Sequence, residues 1–242
     1  MPWDFALIFA FLAIAVPLLG RYRVRQLLRA PETTKAERLA LYRSTVIFQW
    51  LIAGVIFWRA RVHGLAAPSL GLAVPSAAAV LALSILLSGL VLINQLLSLR
   101  RLAQEAANAQ AILPQLARKV FPHDDHERLV FLAVVLTVSI CEEFIFRGFA
   151  QQVFTEISGG SIALGIIGSA VLFAVAHLYQ GRRGLIATLV VGTVFAAVRS
   201  STGSLIAPMA AHFTADLTAG FLAPSRLGAL SPVRDENKTV EP

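Results

Sequence analysis

Hydrophobic residues in this chain run in long blocks rather than in the three- or four-residue beat of a surface helix. Seven blocks stand out, at residues 3–20, 44–58, 74–99, 129–154, 161–179, 184–198 and 204–222. A helix that crosses the hydrocarbon core needs about 20 apolar residues, fewer where flanking side chains snorkel. The pattern predicts an all-α fold, a polytopic transmembrane helical bundle of about seven spans. The second and sixth blocks are short, so their edges are the least defined. No internal repeat relates one half to the other. The chain divides into N-terminal helices and loops (1–127), a core of four blocks (128–223) and a polar, proline-containing tail (224–242).

The polar connections carry the topology. Basic residues cluster after block one (Arg21 to Arg43), before block four (Arg100 to Arg128), between blocks five and six (Arg182, Arg183) and in the tail. Only Arg59, Arg61 and Arg199 fall on the opposite side, which by the positive-inside rule predicts an N-terminus outside and a C-terminus in the cytoplasm. The longest connection contains Gln104 to Leu116, Ala/Gln-rich and predicted to lie as a helix on the cytoplasmic interface. It ends in His123-Asp124-Asp125-His126-Glu127. Two histidines three apart could hold a metal, but an aspartate N-cap for block four is the simpler reading.

Composition sharpens the membrane assignment: 57% of residues are hydrophobic and 14% charged, against about 25% charged in soluble proteins. Mean hydropathy is +0.71. The net charge of +7 does not imply nucleic acid, because the basic residues lie between apolar blocks without an interleaved aromatic stripe. A single cysteine, Cys141, excludes an intramolecular disulfide and a cysteine zinc cluster; beside Glu142 it reads as packing. Met1-Pro2-Trp3-Asp4 lacks the basic start of a signal peptide. The expected setting is a bacterial cytoplasmic membrane.

Against this background a few ionisable residues are conspicuous, since each costs about 2.5–3.5 kcal/mol at membrane depth. Block four, read as one helix from about Arg128 to Glu156, contains Glu142, Glu143 and Arg147. Glu143 and Arg147 are one turn apart and can pair, while Glu142 points about 100° away and is free to face a cavity. Phe173 sits one turn before His177, where its ring can wall the imidazole. His212 and Asp216 also share a face, so the carboxylate could orient the ring or share a ligand with it. With neutral imidazoles the cluster carries three carboxylates and one guanidinium, a net −2 that protons or a cation must balance. A carboxylate here could take a proton from water and return it to a leaving amine. Two imidazoles and a carboxylate (Glu142, His177, His212) would also suit a zinc ion with an open position. Small residues four apart, Gly165/Ser169, Ala170/Ala174 and Gly192/Ala196, favour close helix contact around this centre.

Glu142-Glu143-x-x-x-Arg147, Phe173-x-x-x-His177 and His212-x-x-x-Asp216, in that order on apolar helices, resemble the motifs of the CPBP (Abi, CAAX-protease-like) intramembrane protease family. Arg147-Gly148, Thr202-Gly203-Ser204-Leu205 and the Gly71-Leu72 loop are similar to its pattern as well. The likeness spans about residues 128–222. It implies a CAAX prenyl protease-like intramembrane (metallo)endopeptidase acting on a hydrophobic or membrane-anchored peptide, with relatives that trim prenylated CaaX tails. Carried over, Glu142 would activate water with His177 beside it. His212 and Asp216 would hold the oxyanion or help bind a divalent metal (zinc), with no organic cofactor; Glu143, Arg147 and Phe173 would support them. The last motif position is more often asparagine in the family, and an ionised aspartate cannot donate to an oxyanion. Two other classes fit buried charges in a bundle: a proton- or ion-coupled transporter, and a non-catalytic immunity or scaffold protein of the same fold.

Overall fold

In the computed structural model, which describes residues 1–105, 116–117 and 119–226, seven helices form one bundle. They are α1 (Trp3–Arg29), α2 (Lys35–Val62), α3 (Ala77–Glu105), α4 (Asp125–Ile157), α5 (Ile162–Ala176), α6 (Gly181–Thr202) and α7 (Ile206–Arg226). A 3-10 turn, Leu178–Gln180, joins α5 to α6. α1 to α4, and α6 with the 3-10 turn before it, are long and apolar enough to cross a membrane. Their outward faces carry exposed Leu, Ile, Val and Trp side chains, the surface expected of an integral, multi-pass membrane protein.

All seven predicted blocks fall on these helices, but the helices are longer where polar residues continue them. α2 begins at Lys35 rather than residue 44, because Thr34 and Glu37 form a reciprocal capping box. α4 begins at Asp125, its N-cap Asp124 accepting from the Glu127 N–H at 2.9 Å; the cap is the correct reading of the His123–Glu127 stretch. Lys35, 2.6 Å away, and the Glu127 N–H hold the Asp124 carboxyl below the usual carboxylate range. That contact is therefore complete at neutral pH and fades in acid. Gln104 to Leu116 and the tail fall almost entirely outside the described residues.

α5 is the exception, ending earlier than its block. Its 15 residues span about 22 Å, less than the roughly 30 Å hydrocarbon core. His177 is its C-cap, and Gly181 at φ 77° turns the chain into α6. The helix thus ends inside the bundle and delivers His177 there.

α4 is the central helix. α2, α5 and α7 pack on it, while α3 and α6 flank α7. From Glu143 to Ala150 it widens into a π-helical stretch, a feature frequent at functional sites. Gly148 lies in that stretch, where an added Cβ would stand 2.9 Å from the Leu70 carbonyl oxygen. Gly71, at φ 74°, accepts the Leu205 N–H at 2.9 Å, so the α2–α3 loop seats on the start of α7.

α1 is secured at both ends. Near its start, Asp4 accepts from Arg59 at 2.6 Å and lies 3.0 Å from His63, both of the α2 end. At its finish, Lys119 Nζ donates to the carbonyls of Leu27 (2.8 Å) and Ala30 (2.6 Å). Arg38 and Glu127 form a buried pair at 2.8 Å that ties α2 to α4.

Gly148→Ala should lower stability by about 1–3 kcal/mol, because backbone lies in the way of the new methyl. Thermal unfolding in detergent would read this as a drop in melting temperature, and an unchanged melting point would mean the Leu70 loop yields freely.

Candidate functional site

Glu142 ends the α-helical part of α4 and Glu143 opens the π-helical part. Their side chains diverge, as the rotation per residue requires. Glu143, fully buried, accepts from Arg147 Nη1 at 3.0 Å and from His212 Nδ1 at 2.8 Å, both on Oε1. The one-turn pair on α4 is thus present. The link to α7 was not legible in the sequence, and it changes the expected geometry. His212 is oriented through Nδ1 by Glu143, whereas Asp216 faces the other ring nitrogen at 3.5 Å.

Arg147 is completely enclosed. Its guanidinium lies over Phe173 at 4.0 Å and Phe195 at 5.6 Å, aromatic faces that attract a desolvated cation. Gly192 leaves it room, since a Cβ there would be 3.3 Å from Nη2. Ala196, one turn on, is fully buried and its carbonyl accepts from Gln151 at 3.0 Å. Ser169 donates to the Phe146 carbonyl within the π-helical stretch, an oxygen that also accepts the Gln151 N–H. Gly165 and Ser169 therefore sit against α4, as their spacing suggested.

Glu142 points to the opposite side, into a cavity of about 430 Å³. Leu12, Val16, Leu19 and Gly20 of α1, with Phe48 and Ile52 of α2, make its apolar wall. Glu142, His177, His212 and Asp216 supply the polar wall, with Arg23 and Tyr179 also on the lining. Gly20 accommodates the Tyr179 ring, only 2.7 Å from where a Cβ would stand. Phe173 packs on His177 with ring centroids 4.4 Å apart, and its carbonyl accepts from His177 Nδ1 at 2.8 Å. A carbonyl can only accept, so the neutral ring carries its proton on Nδ1 and turns the bare Nε2 outward. That nitrogen is 3.8 Å from Glu142 Oε2, a buried oxygen with no hydrogen-bond partner among the described residues.

The residues read from the sequence thus meet in one place. Glu142, His177, His212 and Asp216 line a common cavity, while Glu143, Arg147 and Phe173 pack behind it. Cys141 is fully buried and belongs to the packing. Gln49 was missed. Its Nε2 donates to Glu142 Oε1 at 2.9 Å from α2, and a neutral side chain between Phe48 and Trp50 gives no sequence signal. Among the described residues no three His, Cys, Asp or Glu side chains are grouped as they would be to hold a metal ion. His212 spends Nδ1 on Glu143 and turns Nε2 to Asp216.

Residues 125–218 match the family described as type II CAAX prenyl endopeptidase Rce1-like. This segment contains all three motifs, and its match agrees with the CPBP, CAAX-protease-like family that they resemble. No curated protein and no solved structure matches the chain. The family match supports an enzyme of the CAAX-protease type, acting on a membrane-embedded peptide in a lipid environment.

Glu143→Ala would strand the Arg147 charge in the interior and release His212. A loss of about 3–5 kcal/mol is expected, seen as poor recovery of folded protein by size exclusion. Wild-type recovery would show that Arg147 finds another partner.

Proposed function

With the Rce1-like match over residues 125–218 as premise, we propose that this chain is an intramembrane endopeptidase. It hydrolyses a peptide bond of a hydrophobic or CaaX-like substrate, using water activated by Glu142 and His177. One observation carries the reading: two acceptors, Glu142 Oε2 and His177 Nε2, face each other across 3.8 Å at the cavity wall. A water molecule donating to both satisfies both, and its lone pair is then directed into the cavity.

Glu142 takes a proton from this water as its oxygen attacks the scissile carbonyl carbon. The carbonyl π bond breaks, and the charge collects on the carbonyl oxygen. His212 Nε2 and Asp216 Oδ2, 3.5 Å apart, share a proton that is offered to this oxyanion; without that proton the pair would only repel it. Collapse of the tetrahedral intermediate breaks the C–N bond, and Glu142 returns its proton to the leaving amine. Glu143 and Arg147 touch none of the reacting atoms and hold His212 in place. These steps use only the chain's own side chains and water. The apolar α1–α2 wall suits a hydrophobic side chain or an attached lipid. The distribution of basic residues orients the protein with its N-terminus outside and its C-terminus in the cytoplasm.

The decisive experiment profiles peptide cleavage by purified protein in detergent, with metal content measured alongside. Glu142→Gln keeps the shape but not the base, so cleavage should fall at least about a hundredfold with the melting temperature unchanged; His177→Ala should lose activity similarly. A chelator should leave cleavage intact. Cleavage that survives Glu142→Gln would end the proposal, and counter-ion-dependent uptake by vesicles without cleavage would mark a transporter instead.

A further inference from the structure

We propose that Gln49 is a positioning residue for Glu142, so that α2, outside the matched segment, completes the reactive centre; this rests on the protease reading. The two oxygens of Glu142 are in unlike surroundings. Oε1 accepts from Gln49 Nε2 at 2.9 Å, and Oε2 is buried without a partner, 3.8 Å from His177 Nε2. A carboxylate free to rotate about its terminal bond would present either oxygen, or neither, to a water at His177. The amide removes that freedom by engaging one oxygen and leaving the other for chemistry.

The surroundings of Gln49 suit this task. Thr45, Phe48, Gln49 and Ile52 all line the cavity, so the amide reaches one Glu142 oxygen from α2 while His177 stands near the other. Its neighbour Trp50 donates Nε1–H to Thr137 Oγ1 of α4 at 3.2 Å, fixing α2 against α4 beside the contact. Arg147 is engaged by Glu143 and is not the partner of Glu142. A lysine or arginine at position 49 would hold Glu142 permanently ionised. An amide adds no charge and serves both halves of a cycle: its NH2 donates to the carboxylate, and after a half-turn its carbonyl oxygen accepts from the protonated acid. A base that must later act as an acid is well matched by such a partner.

Gln49→Met keeps length and bulk and removes both hydrogen-bonding functions. Its kcat should fall about tenfold to a hundredfold, the range for a hydrogen bond to a charged group, while KM stays at the wild-type value. A thermal double-mutant cycle with Glu142→Met, which needs no activity, should show the two substitutions to be non-additive. Loss confined to KM would make Gln49 only part of the substrate wall and overturn the proposal, as would an unchanged kcat or an additive cycle. Non-additivity in a protein whose wild type cleaves no peptide would retain the contact and remove the protease reading instead.

Discussion

Glu143 is shared between two partners, and much of the interior follows from that sharing. A carboxylate and a guanidinium with no exposure at all carry a desolvation cost of several kcal/mol each, met here by a direct pair, two aromatic faces and the His212 ring. Arg147 must then be enclosed from every side. Phe173 covers one face, which places the following turn and His177; Gly192 keeps α6 close; α7 delivers His212 to the same oxygen. A single buried charge pair thus brings α4, α5, α6 and α7 into register.

The adjacent carboxylate behaves differently because it faces the other way. Glu142 borders a cavity whose far wall is hydrophobic, accepts from the neutral Gln49 amide, and stands 3.8 Å from His177 Nε2. Consecutive positions on one helix can therefore hold an acid committed to architecture and an acid left available for proton transfer. The division arises from rotation of the helix, not from any difference between the side chains.

Much of this was legible in the sequence, for physical reasons. Uncompensated charge is rare in apolar blocks, so Glu142, Glu143, Arg147, His177, His212 and Asp216 stood out, and helical spacing paired Glu143 with Arg147. What escaped was whatever hydropathy cannot register. Leu178 and Tyr179 prolong an apolar block past the true end of α5, so the helix read as running on beyond His177 although Gly181 is the turn signal. Contacts between distant segments, Glu143 with His212 or Arg38 with Glu127, have no local trace. Gln49 bears no charge and sits among aromatic residues, so nothing in the pattern singled it out.

The fastening of α1 bears on the cavity wall that it supplies. Asp4 grips one extremity through Arg59, and Lys119 grips the other through main-chain oxygens. Between them lie the widened Phe11–Ala15 stretch, Pro17, which lacks an N–H, and Gly20. A rod clamped at both tips and softened at its middle bows; it does not swing. The central turns are thus the part of α1 that can yield while both fastenings stay in place.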